Sequence, residues 1–120
     1  MKIVFTTSGD NLDAPVDRRF GRAPKFLIYD LDNDTFEVID NQQNLNAAQG
    51  AGIQSAQTVA ETGAQALITG HSGPNVYRVL SAAGVTIYNA PDGTIAEILE
   101  QYRAGKLEKA GSADVEGHWI

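Results

Sequence analysis

The chain has 120 residues, 9 Lys and Arg against 15 Asp and Glu for a net charge of −6, and no cysteine. That length suits one domain with one core, and 42% apolar with 20% charged residues is the balance of a folded globule, not a disordered chain. Zero cysteine excludes disulfides, thiolate zinc sites, protein-ligated iron–sulfur clusters and cysteine nucleophiles, so a metal here needs His, Asp or Glu, or arrives with its own ligands.

The opening apolar run, residues 3–5, is too short for a signal-peptide core. No stretch approaches the ~18 to 20 apolar residues that a membrane span requires. The expected location is therefore the cytoplasm, with no membrane partner, and the acidic balance argues against nucleic acid. Residues 2–7 contain a continuous β-branched and aromatic block, 3–7, which predicts a buried central strand. A long connection follows over 8–24, punctuated by Gly9, Pro15, Gly21 and Pro24; loops of that length in small domains carry function or stay disordered. Strands at 25–30 and 35–40 flank a polar turn and make a hairpin, followed by an amide-rich loop at 41–49.

From there helix and strand alternate. Ile53, Ala56, Val59 and Ala60 recur at helical spacing before Gly63. A short strand at 66–69 leads into Gly70-His71-Ser72-Gly73-Pro74-Asn75. Pro74 suits a first helical position, and Val76, Val79, Leu80 and Ala83 give the apolar stripe of a helix ended by Gly84. A strand is expected at 85–88. Thr94 with Glu97 forms a capping box, and Ile95, Ile98, Leu99 and Tyr102 mark the buried face of a last helix, closed by Gly105. Residues 106–120 show no clear element, so the expected organisation is one α/β domain over 1–107 and a tail at 108–120.

The order βββαβαβα predicts an α/β fold: a five-stranded mixed sheet, order 3-2-1-4-5, strand 2 antiparallel, helices on both faces. Strands 1, 3, 4 and 5 then run parallel and gather the segments 8–24, 41–50, 70–75 and 89–93 on one edge, where open α/β sheets bind ligands. Arg18, Arg19, Arg22 and Lys25 place +4 within eight residues on that edge, leaving −10 on the rest. They either form a compact site for a small anion or are solvated loop charges paired with Asp13 and Asp17.

The segment 70–75 joins a strand to a helix N-terminus, whose free N–H groups and dipole favour an anion; the alternative is a tight turn that needs glycine. Gly50 and Gly52 open the preceding helix in the same way, but neither pair matches a dinucleotide fingerprint or a Walker loop. His71 is a ligand, a hydrogen-bond donor or a pH-sensitive cation, or else a structural residue; His118 reads as an ordinary terminal residue. The sheet order resembles the ribonuclease H layout, yet strand 1 delivers Thr6-Thr7-Ser8 to the edge in place of the carboxylates that two-metal chemistry needs. Catalysis therefore has little support, and a non-enzymatic role is expected.

The segment Ser8-Gly9-Asp10-Asn11-Leu12-Asp13-Ala14-Pro15-Val16-Asp17-Arg18-Arg19-Phe20-Gly21-Arg22-Ala23-Pro24-Lys25-Phe26 resembles the signature loop of the nitrogenase iron–molybdenum cofactor biosynthesis accessory family, which includes NifX-like proteins and the C-terminal region of NifB-like proteins. Gly50-Ala51-Gly52-Ile53-Gln54 and Gly70-His71-Ser72-Gly73-Pro74-Asn75 resemble its other two blocks, in order, within roughly residues 1–107. The resemblance implies a ribonuclease-H-like sheet without nuclease activity and the binding or carrying of an anionic metal–sulfur cluster. Its cysteine-free form is similar to the stand-alone orange-protein subgroup, which holds a molybdenum–copper sulfide cluster without covalent attachment. Some carriers of the family have a His before the Phe-Gly pair where Arg19 stands here, which implies capture by charge and by backbone N–H groups. The site it implies comprises Arg18, Arg19, Phe20, Gly21, Arg22, Gly50, Gly52, Gly70, His71, Ser72, Gly73, Pro74 and Asn75. Lys25 adds countercharge, Phe20 and Pro74 give apolar cover, and His71 is the candidate metal ligand. The expected cofactor is a Mo–Cu sulfide or other anionic metal–sulfur cluster. The alternative function is a regulatory or adaptor module that meets a protein partner or a small anionic metabolite at the same edge.

Overall fold

A computed structural model of the chain describes residues 1–41, 51–70 and 72–110. Strand β1 (Lys2–Thr7) is buried from Ile3 to Thr7, because its unbroken apolar run supplies both faces of a central strand. It pairs antiparallel with β2 (Lys25–Asp30) and parallel with β4 (Ala66–Thr69). Beyond β2 lies the antiparallel edge strand β3 (Thr35–Asp40). On the other side β5 (Thr86–Asn89) runs parallel to β4.

The expected order 3-2-1-4-5 is present with one addition, a sixth strand, β6 (Glu108–Lys109), antiparallel to β5. The sheet therefore continues past residue 107, and Ala110 is buried, its N–H donating to the Ile87 carbonyl at 2.8 Å. Two exposed charged residues carry no periodicity, so this strand leaves no trace in the sequence. Strand β5 also starts one residue later than expected. The Val85 N–H donates to the Leu80 carbonyl at 2.9 Å and closes the preceding helix in place of opening the strand.

Helices α1 (Ala51–Glu61) and α2 (Pro74–Ala82) cover one face, and α3 (Ile95–Arg103) covers the other. The alternation of β1 assigns the faces: Val4 packs with Ala56, Val59 and Leu80, while Ile3 and Phe5 pack with Ile95 and Ile98. Each fully buried Val, Leu, Ile or Phe among them contributes roughly 1.5–3 kcal/mol through removal from water. The capping box is formed: the Glu97 N–H donates to Thr94 Oγ1 at 3.2 Å, and the Thr94 N–H donates to Glu97 Oε1 at 2.9 Å.

The hairpin is fastened to α3. The Tyr29 hydroxyl and Arg103 Nη2 each donate to Asp34 Oδ1 at 2.9 Å, and the guanidinium carbon lies 5.8 Å from the Tyr29 ring centroid. The Tyr29 hydroxyl first and Arg103 second hold the Asp34 carboxyl below its ordinary 3.8.

Candidate functional site

The long connection after β1 is neither disordered nor open; it is tied down at several points. Thr7 pairs with Val16 and Pro15 with Thr94, while the N–H groups of Ile95 and Ala96 donate to the carbonyls of Ala14 and Leu12 at 2.8 and 2.9 Å. At its centre the Asp17 N–H donates to the Thr6 carbonyl at 2.7 Å, and Thr6 Oγ1 donates back to the Asp17 carbonyl at 2.5 Å. Thr69 Oγ1 lies 2.7 Å from Thr6 Oγ1 and also bonds the Asp17 carbonyl, at 3.4 Å. Both threonines are fully buried, so two hydroxyls from neighbouring parallel strands set where the basic stretch begins.

Gly70 fixes the next residue. A Cβ built there would meet the Arg18 carbonyl oxygen at 2.2 Å and its Cα at 2.6 Å. The glycine admits the backbone of the protein's own loop, so a packing need, not ligand approach, explains its identity. Phe20, Gly21 and Arg22 then form a 3₁₀ turn on α1, where a Cβ on Gly21 would lie 3.8 Å from the Gly52 Cα.

Phe20 requires a correction. It was expected to cover a ligand, but its ring is 1% exposed and stacks on Phe26 at a centroid distance of 6.0 Å. An aromatic ring in a basic loop looks available in sequence; here its transfer from water anchors the loop to the core.

Gly52, Ile53, Ser72, Gly73, Pro74, Asn75 and Val76 line a cleft of about 300 Å³ between the beginnings of α1 and α2. Gly73 has φ +82°, a conformation that side chains with a Cβ disfavour, and nothing lies within 4 Å of a Cβ built there. No side chain caps α2, Pro74 has no N–H, and among the described residues nothing accepts from the N–H groups of Asn75 and Val76. They are donors turned toward a helix entrance that favours negative charge. Asn75 Oδ1 accepts from Arg78 Nη1 at 3.0 Å. Gly50 and His71 lie outside the described residues.

The cationic segment divides. Arg18 donates from Nε to the Ala90 carbonyl at 3.0 Å and pairs with Asp92 at 3.4 Å, away from the cleft. Arg19 pairs with Asp17 at 3.3 Å and is 74% exposed; Lys25 pairs with Asp10. Arg22 is exposed and, among the described residues, has no hydrogen-bond or ion-pair partner. The expected pairing of loop cations with acidic neighbours is thus met at Asp17, while Asp10 and Asp92 replace Asp13. The Arg18–Asp92 pair is exposed on both sides and contributes ~0–1 kcal/mol; Asp17 is only 10% exposed, and besides the Arg19 guanidinium it also accepts from the Arg19 N–H at 3.0 Å.

The residues that position the site escaped sequence reasoning. Asn41 is fully buried; its Nδ2 donates to the Ala23 carbonyl at 2.8 Å and to Ser55 Oγ at 3.1 Å, joining the basic loop to α1. Polar residues within or beside apolar runs (Thr6, Ser55, Thr69) are the one signal that pointed there. Among the described residues no three His, Cys, Asp or Glu side chains converge to hold a metal ion. No described helix is long and apolar enough to cross a membrane.

Fold and rim together define a small α/β protein whose parallel strands end at a basic loop and an uncapped helix entrance. The chain belongs to the dinitrogenase iron–molybdenum cofactor family, whose model matches residues 1–105. It is similar to the orange protein of Desulfovibrio gigas, solved in its apo form, at 34% identity over 92% of both chains with a TM-score of 0.88. A NifB candidate from Thermotoga, placed in the DUF35 family, matches at 32% identity over 90% of this chain and 91% of that one, with a TM-score of 0.78. An uncharacterised protein of Methanocaldococcus jannaschii is 33% identical over 91% of each chain.

Proposed function

We propose that this protein binds an anionic metal–sulfide cluster without covalent attachment and carries it as cargo, with no catalysis of its own. The observation that bears the reading is the cleft at Gly52 and 72–76, with uncapped N–H donors at Asn75 and Val76 and Gly73 leaving its floor open. This donor set suits a cluster that brings its own sulfide ligands and presents negative charge outward. It does not suit a bare metal ion, for which the described residues offer no converging ligands. Arg22 adds countercharge next to the residue that packs on Gly52, and Arg19 joins it by leaving Asp17. Family membership and the likeness to the orange protein support the same class of cargo; a Mo–Cu sulfide core is the form we favour, with the cytoplasm as the place of work.

The test mixes cluster-free protein with tetrathiomolybdate and copper, removes unbound metal by desalting, and follows visible charge-transfer absorption. A chromophore that travels with the protein is expected, held about tenfold more weakly in the Arg19→Ala, Arg22→Ala double variant. Absence of a retained chromophore, or equal retention by the variant, overturns the proposal.

A further inference from the structure

A second hollow, of about 550 Å³, opens beside β5 and β6, where the turn after α3 brings the chain back to pair Asn89 with Glu108. Arg18, Asn89, Gln101, Lys106 and Glu108 supply its polar lining. Four of these five side chains (all but Arg18) have no hydrogen-bond or ion-pair partner among the described residues. Arg18 is held in place by its Nε bond to the Ala90 carbonyl, at 3.0 Å, and its remaining ion pair is an exposed 3.4 Å contact with Asp92. The volume lies within the range of small-molecule sites.

The lining is uneven in charge, and that restricts what fits. A planar guanidinium whose Nη2 has no partner among the described residues, and whose Nη1 is held only by the exposed Asp92 contact, suits a carboxylate, and Lys106 adds a second positive charge from the turn after α3. Glu108 opposes a pure oxyanion such as phosphate and asks for a donor on the same ligand. The two amides, Asn89 and Gln101, donate and accept.

We infer that this hollow is a binding site for a small hydroxy- or amino-carboxylate, held by Arg18 and Lys106 through its carboxylate and by Glu108 through its hydroxyl or ammonium group. The site is separate from the cleft at 72–76 and does not depend on cluster binding. Arg18 nevertheless belongs to both surroundings: its side chain lines the hollow while its backbone rests on Gly70, two residues before Ser72.

The probe is citrate, titrated into cluster-free full-length protein at constant ionic strength and followed by ¹H–¹⁵N NMR, with inorganic phosphate as the comparison. Saturable shifts at the side-chain amides of Asn89 and Gln101 and the backbone amides of Arg18 and Lys106 are expected, with phosphate weaker than citrate. Lys106→Ala and Gln101→Leu, both at accessible positions, are each expected to weaken citrate by about fivefold or more while leaving the thermal midpoint unchanged. Non-saturating shifts, shifts centred on Gly52 and 72–76, phosphate binding as tight as citrate, or unchanged affinity in both variants would overturn the inference.

Discussion

At Gly70 one missing methyl group decides where the basic loop sits. The atoms a Cβ would meet are backbone atoms of Arg18 at 2.2 and 2.6 Å, which cannot rotate away as a flexible side chain does. Gly70→Ala is therefore expected to lower stability by about 1–3 kcal/mol, read as a shift of the urea midpoint at constant slope; an unchanged midpoint would refute the packing role. The adjacent hydroxyls act in the same direction, because Thr6 and Thr69 supply the side-chain partners of the Asp17 carbonyl in a dry environment. None of this was readable from residue types. A glycine before a helix serves a ligand, a turn or a close neighbour equally well, and only the tertiary fold shows that Arg18 is the neighbour.

Among the elements, α3 bears the most on the loop, although it contributes nothing to the cleft. Its capping box orders the first turn, and the same turn receives the loop through Pro15 and Ala14. Thr94→Ala is expected to cost about 1 kcal/mol and, beyond that, to raise amide hydrogen exchange at Val16 and Ile95. Loss of stability without faster exchange at Val16 would mean that cap and loop are independent. This helix was legible because a capping box and a 3.6-residue apolar stripe are local signals. The 3₁₀ turn at Phe20–Arg22 was not, since its formation depends on Phe20 reaching Phe26 and the core beneath α1.

For the whole molecule, the hairpin and the last helix are joined by charge at Asp34 and Arg103, 69 positions apart in sequence. The folded state lowers the Asp34 carboxyl below its ordinary 3.8, as it does that of Asp30, where the Asn33 side chain is the leading cause. A depressed carboxylate stabilises the fold above its unfolded value and loses that contribution as pH falls through the folded value. Unfolding midpoints should accordingly decline below about pH 4, and Asp34→Asn should be less stable at pH 7 with a shallower decline. A parallel decline in wild type and variant would remove Asp34 from the acid response. The net charge of −6 adds general repulsion at neutral pH, which sets the local pairings of Arg18, Arg19 and Lys25 against an acidic background.

By itself the sequence determined the order of the first five strands and the three helices, the central place of β1, helices on both faces, and the sheet edge shared by the loop after β1 and the turn after β4. Those follow from short-range periodicity, glycine and proline punctuation and the handedness of crossovers, all of which are written locally. The tertiary structure alone decided which cations are already paired, that Phe20 faces inward, that Gly70 serves Arg18, and that Glu108 and Lys109 extend the sheet. Each depends on contacts between distant segments, whose free energy comes from burial and geometry that no local pattern encodes. The absence of cysteine thus rules out thiolate anchoring, while only the tertiary structure shows the cleft at Gly73, whose backbone donors are the anchor in the proposed function.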